Sequence, residues 1–408
     1  MKTTNIASIL LENESINKIM TIFSDNNVEA RFVGGCVRDL ILNKPINDVD
    51  ISTPLHPEKV IELLELNGIK TMPTGLQHGT ITAIYKSYHV EITTLRRDVT
   101  CDGRHAEVEF TDDWKQDAAR RDFTMNALSC SVDGTIHDYF DGLSDLKNGV
   151  IRFVGNADNR IKEDALRILR LFRFSGRYNL IITNDALDAC TRNAHTIKVL
   201  SGERIQSEMF KILSLDDPRN ILKLMEKSEI LNMIIRYKID ISILNHLVDK
   251  KVDHIVKLVA LLRTNFDIEL DDLDKFSNFW KLSNTDYDKL KVLFFDRDAF
   301  YTTSEREIKR KTRKYGNDLV VEFLKLAWAE YLYKFSDNNI DVYDIFTTNI
   351  DIALNWKIPT FPVTGDDLIL MGYKQGKELG NTLKMLDKAW EDSDYKLTKN
   401  DLLYIIRK

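Results

Sequence analysis

Hydrophobic and polar positions change rhythm along this chain. In the first third, short β-branched runs alternate with turn signals: ARFVGG, DVDIST, GTITAIYK and HVEITTLR are separated by Gly, Asn and Lys-Ser breaks. Runs of that length and composition predict strands. From about Asp158 the apolar positions recur at three and four spacing, as in DALRILRLFRF, ILKLMEK, HIVKLVALLR and VVEFLKLAWAEYLYKF. That period predicts helices. The opening stretch, MKTTNIASILLENESINKIM, reads as a first helix. The pattern therefore describes a small α+β head followed by an all-α remainder. FPVTGDD, from Phe361, interrupts the helical rhythm and predicts a terminal subdomain.

Length and composition narrow the picture. A chain of 408 residues exceeds what one core usually organises, so more than one domain is expected. No apolar run approaches a membrane span, which excludes an integral membrane protein built on helices. The four cysteines are scattered without a C-x-x-C pair, and the N-terminal stretch carries Glu12 and Glu14 and lacks the arginines of a transit peptide. A reducing cytoplasm is the expected compartment. Net charge is −6, so any nucleic-acid surface must come from local clustering. Arg152, Arg160, Lys162, Arg167, Arg170, Arg173 and Arg177 form such a cluster, although a solvated helix face would look the same.

Two segments of the head carry candidate chemistry. Phe32-Val33-Gly34-Gly35-Cys36-Val37-Arg38-Asp39 predicts a strand end, a glycine turn and a helix start, a geometry that lets backbone amides and Arg38 approach a phosphate. Shortly afterwards, Asp48-Val49-Asp50-Ile51 puts two carboxylates on one strand face. Their mutual repulsion would be relieved by a divalent cation, and magnesium commonly uses paired carboxylates with substrate phosphates. Taken alone, the pair equally suits a strand end displaying two solvated aspartates.

Together, GGCVRD and DVD resemble the nucleotidyltransferase signature shared by CCA-adding enzymes and bacterial poly(A) polymerases. The resemblance implies a polymerase-β-like head, Mg2+ held by Asp48 and Asp50, and a third catalytic carboxylate on a neighbouring strand, matched by Glu91. Asp102-Gly103-Arg104-His105 is similar to the DGRH stretch near the family's flexible loop. Arg120 to Ala127, RRDFTMNA, resembles the RRDFTxNA motif, which implies that Arg121 contacts the nucleotide while Asp122 and Asn126 orient or bind it. IHDYFDGLSDLKNGVIR resembles the third motif, with Asp138 or Asp141, then Gly142, Asp145, Leu146 and Arg152, as matches. The dipeptide His137-Asp138 also admits a metal phosphohydrolase, which would need further His and Asp ligands.

The run Arg160 to Phe174 is expected to form one helix, with Asp164, Arg167, Arg170 and Arg173 along a drifting ridge. An aspartate that accepts and an arginine that donates in a fork present a complementary edge to a base. EDALR resembles the EDxxR motif of bacterial and eukaryotic CCA-adding enzymes, which implies that Asp164 and Arg167 pair with CTP or ATP. A plain helix salt bridge would have the same spacing. SGERIQSEMF resembles the fifth motif and implies a structural role for Glu203, Arg204 and Glu208. Further on, REIKRKTRK from Arg306 is basic enough to attract phosphates and equally reads as a surface helix.

These readings imply a nucleotidyltransferase head at 1–150, a nucleotide-selecting neck at 151–215, a helical body at 216–355 and a tRNA-binding helical tail at 356–408. The expected reaction is CCA addition to the 3′ end of tRNA from CTP and ATP. Poly(A) polymerase and enzymes restricted to CC or A addition are the alternatives, and a non-catalytic RNA-binding protein is the alternative from another class.

Overall fold

A computed structural model describes residues 6–46, 48–102, 105–296, 304–335 and 340–407. The chain divides into two compact units, one of Met1–Lys238 with Glu269–Ser283, the other of Ile239–Ile268 with Asn284–Lys408.

The first unit is built on a mixed sheet. Its strands are β1 (Arg31–Val33), β2 (Asp50–Thr53), β3 (Lys70–Gly75), β4 (Thr80–Tyr85), β5 (Tyr88–Thr94), β8 (Ser129–Cys130) and β9 (Ile136–His137). They lie in the order β3-β4-β5-β2-β1-β8-β9. All four runs singled out by their β-branched residues are strands of this sheet. Phe32, Ile51, Val90 and Ile92 are buried on it, and the helices Glu14–Asp25 and Pro57–Leu66 contribute Ile19, Phe23, Val60 and Leu64 to the core. A separate hairpin joins β6 (Arg96–Asp102) to β7 (His105–Phe110), and Gly103 and Arg104 of the DGRH stretch lie outside the described residues.

The opening stretch forms two helices, Ile6–Leu11 and Glu14–Asp25, rather than one. Asn13 separates them, because its side chain accepts from the amides of Ser15 and Ile16 and so caps the second helix. A short parallel pair, β10 (Val150–Ile151) with β11 (Ile181–Ile182), closes the sheet region against the far end of the helix Leu166–Tyr178.

The second unit contains the helices His254–Arg263, Asn284–Phe295, Glu305–Tyr315, Asn317–Phe335 and Ile340–Asn355, of which His254–Arg263 and Asn317–Phe335 carry the apolar periodicity noted in the sequence. After Phe361 the chain builds a small core of its own, with Val363, Leu368, Leu386, Trp390 and Leu402 buried together. Among the described residues no helix is long and apolar enough to cross a membrane.

Candidate active site

The sheet register brings the head motifs together. β2 runs parallel to β5 with Asp50 abreast of Glu91, and antiparallel to β1 with Asp50 opposite Val33. The glycine turn follows Val33 directly and therefore stands beside the aspartate strand. Gly34 has φ 68°, and a Cβ there would lie 2.7 Å from Arg121 Nη1. Any other residue would be strained in backbone and would push Arg121 aside.

Asp48 is exposed, Val49 buried and Asp50 half-buried, the alternation that period two requires. Burial, then the neighbouring charge of Glu91 and to a smaller degree Asp48, push the Asp50 carboxyl above its ordinary value, and Arg121 opposes them. Asp50 thus feels the charge of two neighbouring carboxylates, a repulsion that a cation would relieve. Among the described residues no group of three or more His, Cys, Asp or Glu side chains converges closely enough to hold a metal alone. Two carboxylates with substrate phosphates and water are a sufficient donor set for magnesium, so Asp48 and Asp50 fit that ion.

A cleft of about 540 Å³ opens beside Asp50. Gly34, Gly35, Arg38, Arg121, Asp122, Asn126, Asp164, Arg167, Arg170 and Arg173 all line it, whereas Asp48 and Glu91 are not among its lining residues. Seven arginines against three aspartates make the lining strongly cationic, as a triphosphate needs.

Each arginine is held by a protein acceptor or ring. Arg38 donates to Asp39 and, at 2.5 Å, to Asn126. Asn126 donates in turn to Asp122 Oδ1, whose other oxygen receives Arg170 at 2.8 and 2.5 Å. Burial pushes the Asp122 carboxyl up, but Arg170, Asn126 and the Phe123 amide outweigh it and hold the group below its usual range. Asp122 and Asn126 therefore orient Arg38 and Arg170. Arg173 is bonded to buried Glu208 at 2.5 Å. Arg121 donates to the Asn126 carbonyl and pairs with Asp117.

The neck departs from the single helix its sequence predicts. One helix, Ala157–Glu163, ends before Asp164, and a second, Leu166–Tyr178, begins after Ala165. Asp164 is extended, with φ −156° and ψ 106°, and its Oδ1 accepts from the Leu166 amide at 3.0 Å. A short acidic side chain that captures a nearby amide competes with the helix ladder, and here it wins. Its other oxygen receives Arg204 at 2.7 Å. Arg167 does not pair with Asp164; it bonds Glu163 and the carbonyls of Arg160 and Arg120. Both groups are fixed at the cleft with bonding capacity left for a base.

Sequence reasoning gave no nucleotide-binding role to four residues that line the cleft, Leu166, Phe174, Arg177 and Arg204, although Arg177 belongs to the basic cluster noted above. Arg204, read as structural, both lines the cleft and anchors Asp164. The four-residue step from Arg170 to Phe174, on the helix that carries the motif arginines, was the available signal for Phe174.

His137 ends β9, and Asp138 caps the turn that follows it. Asp138 accepts from the amides of Phe140, Gly142 and Leu143, and the His137 ring bonds Ser131 Oγ at 2.7 Å. Asp145 accepts from Thr124 and Arg152, and a Cβ on Gly142 would lie 2.3 Å from the Thr124 carbonyl oxygen. This third motif braces the loop that carries Asp122 and Asn126.

A glycine turn beside the aspartate strand, with Asp50 at an arginine-lined cleft on a mixed sheet, is the arrangement of a nucleotidyltransferase head. Residues 30–152 match the family described as the poly A polymerase head domain, and 179–237 match the "Probable RNA and SrmB- binding site of polymerase A". The chain is 35% identical over 97% of its length to a mitochondrial CCA tRNA nucleotidyltransferase 1 of Mus musculus, covering 90% of that protein. It is 36% identical to a CCA-adding enzyme of Ligilactobacillus salivarius, over 88% of this chain and 87% of the relative. The crystal structure of the Bacillus stearothermophilus CCA-adding enzyme in complex with CTP superposes with a TM-score of 0.75 at 25% identity, covering 93% of both chains. The chain belongs to the CCA-adding tRNA nucleotidyltransferase family.

Proposed function

We propose that the protein completes the 3′ end of tRNA by adding C, C and A from CTP and ATP without a nucleic-acid template. The observation that carries this reading is the continuity of one cleft, from Asp50 and the glycine turn to Asp164 and Arg167. Phosphate chemistry occupies one end and base recognition the other.

The RNA 3′-oxygen attacks the α-phosphorus in line, a new P–O bond forms, and the bond to the bridging oxygen breaks to release pyrophosphate. Asp48 and Asp50 would hold Mg2+, whose charge would ease loss of the 3′-hydroxyl proton to solvent and the departure of pyrophosphate. Glu91 adds a third negative charge to that metal-binding face. Gly34 and Gly35 let phosphates approach the backbone, while Arg38 and Arg121 offer forked donors to them. Asp122 and Asn126 keep those donors in place, and Arg170 and Arg173 extend the positive lining. Asp164 and Arg167 bond the base edge of C or A, so the protein takes the part of a template.

In this reading 1–150 performs the chemistry, 151–215 selects the nucleotide, and 216–355 with 356–408 holds the tRNA. The reaction is placed in the cytoplasm, a reducing compartment in which Cys36, Cys130 and Cys190 persist as the free buried thiols they are. Incubating the protein and magnesium with tRNAs ending before CCA, after C or after CC, and sequencing the products, tests the proposal. Ordered addition that stops at CCA is expected. Long A tails would favour poly(A) synthesis instead, and absence of extension would leave an RNA-binding protein.

A further inference from the structure

The neck helix grips the head through Arg167 on the Arg120 carbonyl, Arg170 on Asp122 and, two turns later, Tyr178 on Asp39. None of the family motifs includes Tyr178. Its hydroxyl donates to Asp39 Oδ1 at 2.8 Å, across 139 residues of sequence. The same carboxylate oxygen accepts from Arg38 Nε at 2.8 Å and forms an ion pair with Arg38 Nη2 at 2.8 Å. The Tyr178 ring also lies 4.5 Å from the Arg38 guanidinium, and Phe174, stacked on Tyr178 at 17°, lies 5.2 Å from it. Arg38 is thus bounded on one edge by Asp39, on another by Asn126 and against its face by two rings.

We propose that Tyr178 is a positioning residue for nucleotide phosphates, holding Arg38 through Asp39 and through its ring so that the remaining guanidinium N–H groups face the cleft. A guanidinium carries five N–H donors, of which the hydrogen bonds to Asp39 and Asn126 use two. The others are left for an oxyanion. The phenol stays protonated as a donor, because burial pushes it up to about 12. Without the hydroxyl, Asp39 loses one of the donors that fix it, and Arg38 can follow it out of line. The effect falls on phosphates, which every nucleotide shares, and not on the base.

This inference rests on the reading of Arg38 as a phosphate ligand in CCA addition. Its test is steady-state kinetics of full-length Tyr178→Phe on tRNAs lacking the terminal nucleotides. Removing one hydrogen bond to a charged group should raise the KM for CTP and for ATP by about three- to tenfold. kcat should stay within about twofold, and discrimination against UTP should not change. In an Arg38→Lys background the same change should have no further effect on KM, since lysine cannot present the fork. A bracing role alone would lower activity by the same factor in both backgrounds. An unchanged KM in Tyr178→Phe, or losses that multiply with Arg38→Lys, overturns the proposal. Should Tyr178→Phe fold poorly, Asp39→Asn replaces it, with the same rise in KM expected and a normal KM overturning. Failure of the wild type to extend tRNA would instead strike at CCA addition itself.

Discussion

Two stretches of this chain are rich in basic residues, and they behave in opposite ways. In the cleft, the arginines of the neck helix pair with acids that hold them in line around Asp50, and they keep donors for a ligand. In the helix Glu305–Tyr315, the cations are matched to a facing acidic helix, Lys377–Asp392, and the turn after it: Arg306 to Asp392, Lys309 to Asp394, Arg310 to Glu391 and Arg313 to Asp387. Lys311 is bonded to Asp296. There the charge joins one part of the fold to another. Basic density in a sequence is therefore a weak sign of phosphate binding until the partner of each cation is known. Both stretches border an opening, of about 540 Å³ at the cleft and about 520 Å³ beside the basic helix, so the difference lies in the glycine turn and the Asp50 strand that stand at the cleft.

The most severe way to test the comparison is to remove the negative pole of the cleft. Asp48→Ala or Asp50→Ala should lower nucleotide addition by roughly a thousandfold or more, because positioned charge is most of what such a site provides. Circular dichroism and tRNA binding should be close to wild type. Near-normal incorporation by either folded variant in magnesium would remove these residues from the metal site.

At the other end of the cleft the expected loss is one of choice. Asp164→Ala and Arg167→Ala should each reduce discrimination of CTP and ATP against UTP and GTP by about tenfold, the value of one charge-assisted hydrogen bond. Product sequencing with mixed nucleotides measures it. Equal losses for all four nucleotides would make Asp164 and Arg167 structural anchors only, as their bonds to Arg204 and Glu163 already allow.

How far the sequence reveals this site depends on whether a partner is local. The glycine turn, the aspartate pair and the strand that carries Glu91 are readable because each is a short-range pattern, and period two places Val49 inside and Asp48 outside. The break at Asp164 was readable in principle, since aspartate before Ala-Leu-Arg is a good helix start, but strong apolar periodicity on both sides hid it. The attachments of Asp39 to Tyr178 and of Asp164 to Arg204 were not readable, for they join residues 139 and 40 positions apart. The same holds for the basic helix, whose partners lie 74 to 86 positions downstream.

In the second unit the predicted effects concern stability. Arg313→Ala removes a two-pronged pair with Asp387 and a cation 5.0 Å above the Trp390 ring. The pair is partly exposed, so solvent screening holds the expected loss to about 1 kcal/mol. Thermal melts at low and high salt should show the deficit shrinking as salt rises. A deficit independent of salt would assign the effect to packing on Trp390 and not to charge.

The smallest expected effect is the sharpest test of the contrast. If Arg306 and Arg310 gripped RNA phosphates, replacing each with alanine would weaken tRNA binding for every tRNA and reduce the slope of log affinity against log salt by about 1. Ion pairs with Asp392 and Glu391 already occupy these guanidinium groups, and leaving those acids to meet a phosphate would cost the electrostatic gain of both pairs. Arg306→Ala and Arg310→Ala should therefore leave the salt slope unchanged. The same titration with Arg38→Lys and CTP reads the cleft, where weaker binding at an unchanged salt slope is expected, because lysine keeps the charge and loses the fork. A slope that fell by about 1 in Arg306→Ala or Arg310→Ala would mean that RNA displaces the acidic helix, and the basic stretch would then belong with the cleft as a phosphate-binding surface.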